Sequence, residues 1–245
     1  WLEQVTEVLD GTAPDYLVIS HMEPDHAGSI RAVTERYPDM TLVGSAKALG
    51  MLPQFLGDMP GNPTRTVKEG ETLELGSHTL HFVMAPMVHW PEVMVCYESG
   101  EKVLFSADAF GKFGALDTDQ PWTDEARRYY LNIVGKYGAP VQTLLKKAAK
   151  LDIRTICPLH GPVLTGDLAP YLEKYQTWSS YAPEEKGVLV CLYSRQHGTG
   201  GCPAGRAAES PGRNRGAAGP VPVRHGRGCG TGVPVRPDST GGGKL

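Results

Sequence analysis

The chain changes character after Tyr193, and that break limits what it can fold into. From Ser194 to Leu245 there is no Phe, Trp, Tyr, Ile or Met, while 14 of the 30 glycines and 6 of the 20 prolines fall there. The same stretch carries 8 Lys or Arg against 2 acidic residues. Its larger aliphatics are Val221, Val223, Val233, Val235 and Leu245. Such a segment cannot bury enough apolar area to offset an ordering cost of roughly 1–2 kcal/mol per residue. It is expected to be a disordered Gly/Pro/Arg-rich tail. The body that folds is then residues 1–193, more acidic than the whole-chain net charge of −3.

Composition excludes several classes. Hydrophobic residues at 40% and charged residues at 21% suit a soluble globular protein. No apolar run approaches the ~18–20 residues of a membrane span. A pI near 6.3 argues against a nucleic-acid binder held by bulk positive charge. The five cysteines, Cys96, Cys157, Cys191, Cys202 and Cys229, are odd in number and form no C-x-x-C pair. A disulfide framework is therefore not expected and a reducing, cytoplasmic setting is. Trp1-Leu2-Glu3-Gln4 offers neither a basic start nor an apolar core for a signal peptide.

Within the body, strand patterns alternate with helix patterns. Asp15–Ile19 and Thr41–Val43 read as short buried strands, with a helix from Ala27 to Tyr37 between them, stopped by Pro38. Ser45 is placed to cap a helix running through Phe55. Glu71–Leu75 and His78–Met84 form a hairpin at Gly76-Ser77, and Val93–Tyr97 with Lys102–Phe105 a second. A helical stretch from Thr123 toward Lys150 is interrupted near Tyr137–Pro140. A strand at Arg154–Cys157, a helix at Asp167–Trp178 and an apolar strand at Gly187–Tyr193 follow. The pattern predicts a layered α/β sandwich with mixed sheets.

The strongest local signal is His21-x-Glu23-x-Asp25-His26, directly after the first strand. Imidazole and carboxylate at this density suit iron, manganese or zinc. His89, Asp108 and His160 each stand a few residues beyond a β-rich apolar run. Strands of one sheet deliver their ends to one rim, so the three can converge on the first cluster. Cys96, Cys157 and Cys191 read as small buried hydrophobes. Trp90, Phe110 and Phe113, near the candidate ligands, serve either as cavity walls or as ordinary core.

The motifs HxExDH, then HW, then SADAFGKFGAL, then PLHGP resemble the metallo-β-lactamase-like half of a flavodiiron protein, or A-type flavoprotein. The wider superfamily carries HxHxDH, and Glu23 stands where those hydrolases have their second histidine. The resemblance implies an αββα sandwich of two mixed sheets flanked by helices over residues 1–178, with strands missing before the first motif. It implies a linker at 179–187 and the first strand of a flavodoxin-like domain at 188–193. The tail 194–245 does not continue that domain and is expected to be read out of frame.

The resemblance also implies a site. One iron falls to His21, Glu23 and His89, the other to Asp25, His26 and His160, and Asp108 bridges them. Three carboxylates with one hydroxide balance two ferrous ions, which lowers the cost of burying them. Dioxygen would be reduced to water, or nitric oxide to nitrous oxide, with electrons from FMN. Rubredoxin or a flavin reductase would be the donor, and subunits would pair head to tail. Ser194, Gly198 and Thr199 would be the remnant of the FMN phosphate loop, although by themselves they read as a flexible linker. The alternatives are a superfamily hydrolase activating water at a binuclear metal, and an inactive remnant.

Overall fold

The computed structural model describes residues 1–187 except 59, 60, 119 and 186. It divides into the units Trp1–Glu184 and Glu185–Leu245, and the first is described below. The expected strand at 188–193 and the tail, with Ser194, Gly198 and Thr199, lie outside the described residues.

The first sheet contains β1 (Tyr16–Ile19), β2 (Thr41–Ser45) and β3 (Thr64–Val67) in that order, all parallel. The second contains β4 (Thr72–Leu75), β5 (His78–Met84), β6 (Met94–Glu98), β7 (Val103–Phe105) and β8 (Thr155–Cys157), also in sequence order. Its pairs are antiparallel except β7 with β8, so the mixing of directions resides in this sheet. Gly76, at φ 71°, closes the β4–β5 turn in a left-handed conformation that a side chain would resist.

Strand alternation builds the layers. Val18, Val43 and Val67 meet Leu73, Phe82, Met94 and Cys96 between the sheets. The neighbouring positions point the other way. Leu17, Ile19 and Leu42 pack against α3 (Ile30–Arg36) and α4 (Ala46–Leu56). Val83, Val95, Tyr97, Leu104 and Ile156 pack against α5 (Trp122–Ile133), α6 (Gly138–Ala148) and α7 (Ala169–Ser179). The result is helix, sheet, sheet, helix. Ser45 caps α4 as expected, its hydroxyl accepting from the Ala48 N–H at 3.1 Å. Burial pushes the Cys96 thiol up to about 12, consistent with its use as a hydrophobe; Cys157 is half-buried.

Some boundaries differ from the sequence reading. The expected helix at Ala27–Tyr37 is two pieces, α2 (Pro24–Ala27) and α3, and part of the polar cluster is helical. Pro24 explains this: its fixed φ suits a first helical position, where no N–H is needed. The break in the long helix is a 3-10 turn at Gly135–Tyr137, slightly earlier than expected. α1 (Leu2–Leu9) and β3 were not anticipated; β3 buries only Val67 fully and so lacks an apolar run.

Phe82 is fully buried between the sheets. Phe82→Ala is expected to destabilise the chain by about 3–5 kcal/mol, the usual cost of deleting a core aromatic. Urea denaturation of the metal-free chain measures this, and a loss below about 1 kcal/mol would show that the inter-sheet layer can collapse around the cavity.

Candidate metal centre

Strand direction brings the candidate residues to one rim. β5 and β7 are each antiparallel to β6, and β8 is parallel to β7, so all three end on the same side. Their continuations carry His89, Asp108 and His160. The first sheet is tied to this rim where the Met94 N–H donates to the Ser20 carbonyl at 3.0 Å. His21 follows at once, Glu23 is the N-cap of α2, and Asp25 and His26 lie on α2. The loop carrying Asp108 is tight: Ala107 and Phe110 have φ of 50° and 68°, and Ser106 Oγ donates to the Ala109 carbonyl at 2.7 Å.

The seven side chains gather as two groups, His21, Glu23, His89 and Asp108, and Asp25, His26 and His160. Within each group the donor atoms all lie within 4.8 Å of one another. In the first group, His89 Nε2 is 3.0 Å from Glu23 Oε2 and 2.9 Å from Asp108 Oδ2. His21 Nε2 is 3.4 Å from Glu23 Oε2 and 3.5 Å from Asp108 Oδ2. In the second, His160 Nε2 is 3.2 Å from His26 Nε2 and 3.3 Å from Asp25 Oδ2. Asp108 connects the two, because its other oxygen, Oδ1, lies 3.1 Å from His26 Nε2 and 3.7 Å from His160 Nε2.

The residues present fit a pair of cations. His21 Nε2 and Asp108 Oδ1 are buried with no hydrogen-bond partner among the described residues. Such orphaned groups normally cost stability, unless an ion completes them. His26 and His160 point ring nitrogens at each other, an arrangement in which two lone pairs repel and a shared cation binds. Donors on one ion, bonded at roughly 2.0–2.1 Å, stand about 3 Å apart. Without metal the cluster holds protons instead. Burial opposes charge on His26 and His89, but the Asp108 carboxylate outweighs it and raises both above their ordinary 6.5. Burial likewise disfavours the Asp108 anion, yet the flanking imidazoles hold that carboxyl well below the usual range.

Comparison with known proteins meets this geometry. A family model described as ODP family beta lactamase matches residues 1–161. Putative diflavin flavoprotein A 1 of Nostoc sp. is 32% identical over 206 residues, which are 81% of this chain and 35% of that protein. The structure of the flavodiiron protein from Giardia intestinalis superposes with a TM-score of 0.65 at 28% identity, covering 74% of this chain and 46% of that one. The chain belongs to the flavodiiron family. Its sandwich is the metallo-β-lactamase-like domain of that family, which implies non-haem diiron and FMN. The nitric oxide reductase of Moorella thermoacetica is 32% identical over 77% of this chain and 49% of its own length. The rubredoxin oxygen:oxidoreductase of Desulfovibrio gigas gives a TM-score of 0.64 at 31% identity, over 71% of this chain and 46% of that one. This flavodiiron chain thus spans about a third to a half of the length of these relatives.

Around the seven residues lie others that sequence reasoning missed. Glu92, 2% exposed, places Oε1 2.7 Å from His21 Nδ1. Tyr129 on α5 is buried with its ring 5.5 Å from that of His160. Burial, reinforced by the Asp108 and Glu23 carboxylates, pushes its phenol well up, so it keeps its proton. Tyr175 on α7 reaches the same loop: its Oη accepts from the Phe110 N–H at 2.6 Å and steadies the turn that carries Asp108. A lone acid in a loop and tyrosines on helix faces carry no local motif; only their place in the fold distinguishes them. The anticipated aromatics divide. Trp90 stands edge-on to His21 at 5.3 Å as a wall, whereas Phe110 stacks on Tyr175 at 4.2 Å within the core. Phe113 packs edge-on to Tyr129 at 5.1 Å. Among the described residues no helix is long and apolar enough to cross a membrane.

Proposed function

We propose that this chain carries the diiron site of an oxidoreductase that reduces dioxygen to water or couples two nitric oxides to nitrous oxide. One observation carries the reading: Asp108 turns a different oxygen to each ligand group, 2.9 Å from His89 and 3.1 Å from His26. A carboxylate can span two ions in this way and a neutral imidazole cannot. The first iron would be held by His21, Glu23 and His89, the second by Asp25, His26 and His160, with Asp108 shared. Two ferrous ions bound there supply two electrons, the count for coupling two nitric oxides and half that for dioxygen.

The chain's own groups prepare the site. Glu23, Asp25 and Asp108 offset the charge of the cations and lower the cost of burying them. Glu23 hardens a donor set that would otherwise suit zinc. Tyr129, its ring 5.5 Å from that of His160, keeps its phenol proton close to the site, where a reduced gas needs one. Trp90 covers one side of His21 and limits water access. The activities of the Moorella and Desulfovibrio relatives, a nitric oxide reductase and a rubredoxin oxygen:oxidoreductase, support the choice of gases and support rubredoxin as donor. A flavin reductase is the second candidate donor. FMN would deliver electrons across a head-to-tail homodimer, one chain's flavin meeting the other's irons.

Anaerobic reconstitution tests the reading. The chain is expected to hold two irons and, given nitric oxide with no reductant, to yield about one nitrous oxide per chain and stop, since two electrons match one coupling. Two zinc ions with ready ester cleavage and no gas reduction would overturn the proposal.

A further inference from the structure

We propose that Glu92 is a positioning residue: it selects the nitrogen His21 offers to metal, strengthens that donor and makes the first ligand group fill before the second. The inference rests on the reading that two ions bind here. Glu92 lies on the loop that carries His89, three residues later, and reaches across to the other imidazole of the same group. One oxygen, Oε1, serves both the His21 Nδ1 contact at 2.7 Å and the Met22 N–H at 2.9 Å. The backbone N–H can only donate, which leaves Oε1 as acceptor and His21 Nδ1–H as the second donor. The proton is thereby fixed on Nδ1 and the lone pair on Nε2. That Nε2 is buried and has no hydrogen-bond partner among the described residues, facing the Glu23 and Asp108 oxygens at 3.4 and 3.5 Å. A carboxylate behind a metal-binding imidazole fixes its tautomer and raises its basicity.

Glu92 is itself braced. Ser45 Oγ donates to the Glu92 carbonyl at 2.9 Å while accepting from the Ala48 N–H, so the end of β2 and the cap of α4 fix the backbone of this residue. The second group has no equivalent among the described residues. Among the described residues, the acidic contacts of His26 and His160 all run through Nε2, the atoms that face the site. One group therefore has a prepared imidazole and the other does not, which is the physical basis for stepwise filling.

Cobalt(II) titration of the full chain, followed by visible absorption under anaerobic conditions, tests this. The parent chain is expected to bind two cobalt ions in two resolved steps; failure to bind two would overturn the reading of the site and the inference with it. Glu92→Gln keeps the shape and the acceptor but removes the charge. It is expected to weaken the first step about 10–100-fold and leave the second unchanged. The same substitution in a His21→Ala background is expected to have no further effect on the first step, because Glu92 acts through His21. Equal weakening in that background, parallel weakening of both steps, or no weakening at all overturns the proposal. Should circular dichroism show that Glu92→Gln does not fold, Glu92→Asp keeps the charge and withdraws it by one methylene. The same selective loss in the first step is expected there, and unchanged binding overturns the proposal equally.

Discussion

Replacing Asp108 with Asn is expected to reduce the metal content of the reconstituted chain from two ions to one or none. Asp108 is fully buried, and its two oxygens face different groups, Oδ2 toward His89 and Oδ1 toward His26. An amide keeps one acceptor and turns a donor toward the other ion, so one group is served at most. Retention of two ions in the variant, measured by elemental analysis, would remove the bridging role. The metal-free chain adds a second readout with a definite sign. The depressed Asp108 carboxyl stabilises the fold above its ordinary value of 3.8, and that contribution is lost as pH falls through the folded value. The raised His26 and His89 stabilise it below 6.5, and that contribution is lost as pH rises through their folded values. Asp108→Asn should therefore lower the melting temperature most between about pH 4 and pH 6.5, and less at pH 8. A loss that grows toward pH 8 would contradict this account.

The layers of this fold were legible because its strands are amphipathic in two apolar directions. Val43 and Leu42, or Phe82 and Val83, are neighbours that face different cores, so each reads as part of a continuous apolar run between two covered faces. β3 escaped because Thr64-Arg65-Thr66 has no such run, and it is recruited by pairing with β2 at Leu42–Ser45. The convergence of His89, Asp108 and His160 was legible for a related reason: each follows a strand of one sheet, and direction alone brings those ends together. Glu92 was not legible, since its partner is 71 positions away and a single acid in H-W-P-E reads as a solvated loop residue. Pro24 could have been used; an acidic residue followed by proline is a helix start, and it would have put Asp25 and His26 on a helical turn.

Changing Glu23 to His is expected to raise the ratio of zinc to iron bound by the chain about tenfold or more, because carboxylate oxygen favours the harder ion and imidazole the softer. The first group already holds His21 and His89, with Glu23 Oε2 3.0 Å from His89 Nε2 and 3.4 Å from His21 Nε2. A third imidazole there leaves Asp108 as the group's only anionic donor. It also removes one of three negative charges around two divalent ions, so the buried site becomes more positive and depends more on hydroxide. Zinc lowers the pKa of bound water and supplies it more readily, but cannot change oxidation state. The variant should accordingly lose nitrous oxide formation while keeping two ions per chain. Anaerobic competition with equal ferrous and zinc ions, followed by elemental analysis and a nitric oxide assay on the same samples, separates metal choice from loss of fold. An unchanged zinc-to-iron ratio with full gas reduction would mean that the selectivity of this domain resides in groups outside the first ligand set, and that Glu23 is not its determinant.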